Sequence, residues 1–201
     1  MANSNPSLPT KFTLNNNIDM PSIGLGTFKI RHPETIMKAM DNALASGYRL
    51  FDTATAYGNE VHIGNALKTL LPKYELDRED IFITSKIYPT DYGKDKKVTN
   101  AFKKSLKNFA LDYIDMYLIH IPTTRKVCGE VKFDSLCQTT WMSFVKLYDE
   151  GLVNVIGQDI AVIPKSKQPK HIKENITLNF ELCEAEMKAL NHLEEGNLKY
   201  G

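Results

Sequence analysis

Asp52, Tyr57, Lys86 and His120 are the residues of this chain best suited to act together on a substrate. Three of them end short apolar runs: Tyr48-Arg49-Leu50-Phe51 before Asp52, Ile81-Phe82-Ile83-Thr84-Ser85 before Lys86, and Met116-Tyr117-Leu118-Ile119 before His120. Such runs read as buried parallel strands. Tyr57 follows Asp52 by five residues, on the loop leaving that strand. A phenol, an ammonium, a carboxylate and an imidazole meeting at one rim make a proton-donating site for a carbonyl oxygen. A tyrosine ordinarily ionises near pH ~10, and a neighbouring ammonium lowers that value. Lys86 is therefore expected to make Tyr57 a stronger acid. Asp52 can pair with Lys86 and hold it, and His120 can hydrogen-bond the carbonyl oxygen and orient it. Reducing the carbonyl also needs a hydride; no side chain donates one, so a nicotinamide cofactor is required.

Taken singly, each residue has a plainer reading: Tyr57 a loop tyrosine, Lys86 a solvated strand end, His120 a partner for a carbonyl, Asp52 a cap or turn residue. The arrival of three at equivalent strand ends favours chemistry, because the active sites of (β/α) barrels sit at the carboxyl ends of the strands.

The elements that must position these residues alternate along the chain. Phe12-Thr13-Leu14, Asn15-Asn16-Asn17 and Ile18 to Met20 read as a hairpin with an asparagine turn. Ser22 to Thr27 reads as a strand. Glu34 to Ser46 reads as a helix capped by Gly47, and Asn59 to Leu71 as a helix stopped by Pro72. Val98 to Phe109 is amphipathic: Val98, Ala101, Phe102, Ser105, Leu106 and Phe109 share a stripe, while Lys103, Lys104 and Lys107 face water. Residues 121–135 read as a long loop, of the kind that is usually functional. Cys137 to Tyr148 reads as a helix closed by Gly151, and Leu152 to Gly157 as a strand. Repeated strand–helix–strand units imply a parallel α/β fold.

The alternation then breaks. Val153 to Ile156 and Ile160 to Ile163 both resemble parallel strands, yet only Gly157-Gln158-Asp159 separate them. Parallel neighbours need a crossover of about a dozen residues, and three residues reach about 10 Å. The seam permits a hairpin, one bent strand or disorder, but not two ordinary barrel strands. Pro164 to Asn175 is basic and polar, and Glu181 to Leu193 reads as a final helix.

At 201 residues the chain is expected to be one domain, and it is short for a full (β/α)8 barrel, which takes about 250 residues. A net charge of +1 gives no global field favouring nucleic acid or an anionic membrane. Met1 to Lys11 lacks an apolar run of signal length, and no stretch approaches the roughly 20 apolar residues of a membrane span. Three cysteines, Cys128, Cys137 and Cys183, form neither a zinc motif nor a disulfide framework. A cytoplasmic protein without nucleic-acid, membrane or metal partners is expected.

At the residues named above the chain resembles the aldo-keto reductases. The resemblance rests on Phe51-Asp52-Thr53-Ala54 with Tyr57-Gly58-Asn59-Glu60, on Ile83-Thr84-Ser85-Lys86, on Leu111 to His120, and on Ile163-Pro164-Lys165-Ser166. It runs from about Thr10 to Gly157 and resumes at about Ile160. It implies a (β/α)8 TIM-type barrel with NADPH bound across the strand ends, and reduction of aldehydes or ketones by a monomer. It further implies Tyr57 as proton donor, Asp52 and Lys86 tuning it, and His120 positioning the substrate. Lys165 and Ser166 match residues that hold the 2′-phosphate of NADPH. Thr27 and Phe28 match a strand end that contacts the cofactor, and Glu174 and Asn175 match residues near the adenine.

The departures from the family are as informative. His171 stands where an arginine is common, which weakens selectivity for NADPH over NADH. Ile121 stands where a tryptophan usually walls the substrate pocket. The segment for the sixth and seventh strands is missing between Gly157 and Ile160, and the C-terminal substrate loop is missing after Gly201. Gln158 and Asp159 stand where the family places a serine and an asparagine on the nicotinamide amide. The barrel is therefore expected to be incomplete, through an alternative transcript, a decayed copy or a mis-joined gene model. Two functions follow: a working NADPH-dependent reductase, or an impaired remnant that binds a nucleotide or a partner through the surfaces an open barrel exposes.

Overall fold

The predicted hairpin opens the chain in the computed structural model, which describes residues 11–14, 16–120, 133–155, 163 and 165–176. These residues belong to one compact unit, Pro9–Ile176. Strands β1 (Lys11–Thr13) and β2 (Asp19–Pro21) pair antiparallel. Asn17 takes a left-handed φ of 63° in the turn, where an asparagine costs little. Leu14 and Met20 from this hairpin pack against Leu50, Phe82, Met116 and Val155, a small apolar cluster that also takes in the first residues of two barrel strands.

The main sheet has five parallel strands in chain order: β3 (Gly24–Gly26), β4 (Leu50–Asp52), β5 (Phe82–Ile87), β6 (Ile114–Ile119) and β7 (Val153–Val155). Between them run α1 (Pro33–Ala45), α2 (Glu60–Lys73), α3 (Asp95–Phe109) and α4 (Phe133–Asp149), each packed on the next. Strands that neighbour in sequence order, with successive crossover helices side by side, form an arc of a (β/α) barrel. The architecture is α/β, an incomplete (β/α) barrel with five parallel strands among the described residues.

The helices form for the expected reasons. Pro33 and Glu34 favour the start of α1, and Gly47 follows its end at φ +92°. In α3, Val98, Phe102 and Phe109 are buried, each stabilising by about 1.5–3 kcal/mol. Several boundaries differ from the sequence reading, among them the start of α3 at Asp95. Pro72 lies inside the last turn of α2, which ends at Lys73, two residues past the expected end and just after the proline. Helix α4 starts at Phe133, inside the stretch read as loop; residues 121–132 lie outside the described residues.

A helix that the sequence reading did not mark, α5 (Pro169–Ile176), packs against α1, and the buried Tyr48 phenol donates to the Ile172 carbonyl at 3.1 Å. The chain just before α5 lies against β3. A Cβ placed on Gly26 would stand 2.9 Å from the Ile163 carbonyl oxygen and 3.4 Å from Lys165 Cβ, so only glycine allows this approach. Ile163 and Lys165 thus border β3, at the opposite edge of the sheet from β7. Of the strand expected over Ile160 to Ile163, only Ile163 is described, and it is not in a strand; Gln158, Asp159 and the helix expected at Glu181 to Leu193 lie outside the described residues.

Candidate active site

Asp52 is the last residue of β4 and pairs in register with Thr84 of β5. Facing residues of paired strands share a side of the sheet, and so does Lys86, two positions beyond Thr84. The geometry follows: Asp52 Oδ1 accepts from Lys86 Nζ at 2.5 Å and from Thr84 Oγ1 at 2.6 Å. Lys86 also donates to the Thr53 carbonyl at 2.8 Å, and its own carbonyl accepts from Thr55 Oγ1 at 2.9 Å. On the other side, the Asp52 carbonyl accepts from Thr27 N at 3.0 Å and Thr27 Oγ1 at 2.9 Å. Each strand end is tied to its neighbour, and Asp52 is the common point.

Tyr57 closes a 3₁₀ turn, Thr55–Tyr57, after which Gly58 adopts φ +66° and lets the chain turn into α2. Its half-buried ring lies 5.0 Å from the Phe28 ring and meets the His120 ring edge-on at 5.6 Å. Lys86 Nζ sits 5.5 Å from the Tyr57 ring centre. His120 follows β6 directly; its amide donates to the Ile87 carbonyl at 3.2 Å and its ring lies 6.1 Å from Tyr88. His120 Nδ1 is buried without a hydrogen-bond partner. The four residues singled out in the sequence therefore converge at one rim.

One expectation is corrected. Lys86 was expected to lower the pKa of Tyr57, but it lies above the ordinary value, first because the ring is partly buried and then because of the Asp52 carboxylate. The reason is geometric: Lys86 is bonded to Asp52, so the phenol faces a balanced pair rather than a lone ammonium. The His120 pKa is lowered, mainly by burial and then by Lys86. At neutral pH the phenol keeps its proton and the imidazole is uncharged.

Of the residues expected to touch a cofactor, Thr27 is buried with its hydroxyl bonded to Asp52, and Phe28 is exposed against Tyr57. Lys165 is exposed beside Gly26, on the edge next to β3. Ser166 is nearly buried, and its Oγ accepts from Gln168 N at 3.0 Å just before α5. His171 and Glu174 lie exposed on α5, where Glu174 pairs loosely with Lys170 at 3.7 Å; Asn175 is half-buried.

Sequence reasoning missed the residues that hold the rim together. Asn59 is fully buried. Its amide donates to the Ile30 carbonyl at 2.9 Å and to the Thr27 carbonyl and hydroxyl at 3.2 Å, while its oxygen accepts from Thr53 Oγ1 at 2.6 Å. It pins the loop carrying Phe28 to the loop carrying Tyr57. Thr84 was legible from its spacing to Lys86, two residues along one strand. Nothing local distinguishes Asn59 from an ordinary helix cap.

With this geometry in place, comparison with known proteins gives a consistent answer. The profile of the Aldo/keto reductase family matches residues 22–159. Aldose reductase of Encephalitozoon cuniculi is 38% identical over 156 residues, covering 72% of this chain and 50% of that protein. Aldose reductase C of Dictyostelium discoideum is 36% identical over 161 residues, covering 73% of this chain and 50% of that protein. The solved aldose reductase of Schistosoma japonicum superposes with a TM-score of 0.77 at 27% identity, covering 94% of each chain. This chain belongs to the aldo/keto reductase family. It spans about half the length of the curated relatives it matches.

Proposed function

We propose that the chain is an NADPH-dependent reductase of small aldehydes or ketones, with Tyr57 as proton donor. The observation that carries this reading is the Lys86–Asp52 pair set beneath a protonated Tyr57, with a neutral His120 beside it. His120 donates a hydrogen bond to the carbonyl oxygen and aims it at the phenol. Tyr57 gives its proton to that oxygen as negative charge develops there. Lys86 and Asp52 fix the turn below the phenol through the bonds to Thr53 and Thr55. The nicotinamide, when bound, supplies the hydride that completes reduction to the alcohol.

The residues near β3 suit such a cofactor. Lys165 offers an exposed ammonium and Ser166 a hydroxyl for a dianionic 2′-phosphate. Thr27 and Phe28 line the rim between that segment and Tyr57, and His171, Glu174 and Asn175 follow on α5. Among the described residues no helix is long and apolar enough to cross a membrane. The working assignment is a cytoplasmic monomer.

A second reading, a remnant that binds a nucleotide or a partner without turnover, is favoured by one feature. Trp141, Met142 and Tyr148 are exposed along α4, the last of the four packed crossover helices. One experiment separates the readings. The purified chain is melted with and without NADPH, and NADPH loss is then followed with a reactive aldehyde. Ligand at about 100 times its dissociation constant stabilises the native state by about 2.7 kcal/mol. A raised melting temperature and aldehyde-dependent NADPH loss support the reductase; stabilisation without turnover supports the remnant. A melt indifferent to NADPH removes the cofactor assignment.

A further inference from the structure

We propose that Asn59 is a positioning residue for Tyr57: it locks the turn that carries the phenol to the loop that carries Phe28, so that the two hold one geometry together. The inference rests on the reading of Tyr57 as proton donor. It adds to that reading a residue that is itself fully buried and out of reach of a substrate.

Asn59 stands at the N-cap of α2, where an asparagine side chain ordinarily accepts from amides of the first turn. It makes no such bond. Its backbone carbonyl accepts from Ile63 N at 3.0 Å, so the helix starts normally, while the side-chain amide is turned to other parts of the chain. Its oxygen accepts from Thr53 on the Tyr57 side, and its nitrogen donates to Thr27 and Ile30 on the Phe28 side. Asn59, Thr27 and Thr53 are each at most 1% exposed. Bonds in so dry a setting are strong, and breaking one leaves a polar group that water cannot satisfy.

What the two loops carry gives the bridge its purpose. Thr27 and Ile30 bracket Phe28 and Lys29, so one side chain staples both ends of that short loop. Within it Lys29 holds φ +62°, a left-handed state that a lysine keeps only where its surroundings impose it. Phe28 is 51% exposed, yet its ring packs on the Tyr57 ring at 5.0 Å. On the other side Gly58, at φ +66°, is the one residue between Tyr57 and Asn59, and glycine by itself fixes no single conformation. A strained loop and a glycine beside the acid would each relax alone; one buried amide removes both freedoms.

The test uses the whole chain and reads amide hydrogen exchange at Tyr57 and Ile30, whose amides donate to the Ala54 and Thr27 carbonyls, together with aldehyde reduction. Thr53→Val, close in shape, removes only the bond on the Tyr57 side. It is expected to speed exchange about fivefold at both amides, the worth of one hydrogen bond. It should also lower kcat about tenfold with little change in KM, as a misplaced acid does. Thr53→Ser, which keeps the hydroxyl, should exchange like the parent chain. In an Asn59→Ala background Thr53→Val should add nothing at Ile30, because the bridge is already gone. A merely structural role predicts a lower melting temperature with exchange altered at Tyr57 alone. That result, or an effect of Thr53→Val at Ile30 that persists without Asn59, would overturn the proposal. If Asn59→Ala does not fold, the two Thr53 variants decide it at Ile30. Exchange needs no turnover, so a parent chain that reduces no aldehyde removes the reductase reading and leaves the bridge to be judged at Ile30. A parent chain that reduces, with Thr53→Val equally fast, removes the positioning role alone.

Discussion

Among the described residues, two partly buried ion pairs sit in this barrel, and their salt-bridge distances are identical. Lys86–Asp52 lies at the carboxyl rim with N to O at 2.5 Å; Arg78–Asp115 lies toward the amino ends of β5 and β6, also at 2.5 Å. The lower pair is bonded back into its own strands, although Arg78 Nε is buried without a partner. Arg78 also donates to the carbonyls of Ile81 and Tyr113, Asp115 accepts from Ile83 N at 2.8 Å, and the guanidinium stacks 4.0 Å from the Tyr113 ring. Burial still pushes the Asp115 carboxyl up in spite of Arg78. The upper pair holds a turn that carries a protonated phenol, and that phenol touches a histidine with an unpartnered nitrogen. Burial of an ion pair therefore does not by itself mark a site in this molecule, and neither does an unpartnered nitrogen, since each pair has one beside it; the phenol and the imidazole set against the upper pair distinguish the two.

The comparison can be broken in order of effect. Tyr57→Phe should lower aldehyde reduction by about 10²–10⁴-fold, the range of general acid catalysis, while the melting temperature stays the same. Steady-state rates with a reactive aldehyde check it, and equal rates would remove Tyr57 from the proposed role. At the lower pair, Asp115→Ala should destabilise by about 3 kcal/mol, because it strands a guanidinium that is only 18% exposed. The double change Arg78→Met with Asp115→Leu should recover much of that loss. The matching change at the rim, Lys86→Met with Asp52→Leu, should keep the fold but lose reduction. Denaturant melts and rates on both double variants test whether one pair is structural and the other is not.

Much of the rim was legible in the sequence because β strands are periodic. An apolar run that ends in a polar or charged residue places that residue at a strand end, and Asp52, Lys86 and His120 all obey the rule. The helix stripe of α3 was legible for the same reason at its own period. Other features depend on partners distant in sequence. Asn59 reads as a cap, and only the approach of Thr27 and Ile30 makes it a buried bridge. Helix α5 is short and strongly polar, and its existence rests on packing Ile172 against the α1 side of the barrel. The pKa of Tyr57 went the other way because burial of a ring depends on neighbours that the sequence does not show. The sequence reading paired Asp52 with Lys86 but gave no weight to the carboxylate's own effect on the phenol or to the burial of the ring.

Smaller effects sharpen the comparison. Lys165→Ala should weaken NADPH about tenfold or more, as for a lost charge-assisted hydrogen bond, and leave NADH nearly unchanged. Equal losses for the two cofactors, measured by fluorescence titration, would detach Lys165 from the 2′-phosphate.

The smallest effect concerns the histidine. Burial and Lys86 hold the His120 pKa below its ordinary value of about 6.5. A folded pKa below the unfolded one means that the unfolded chain binds the extra proton first. His120 thus contributes stability above about pH 6.5, and that contribution is lost as the pH falls through its folded pKa. Lys86→Met removes the ammonium that works with burial, and it frees the Asp52 carboxylate that works against it, so the midpoint should rise. A titration of the His120 ring by NMR in both proteins reads this directly. An unmoved midpoint would mean that burial alone sets the histidine, and that the rim pair, like the lower pair, acts only on the groups it touches.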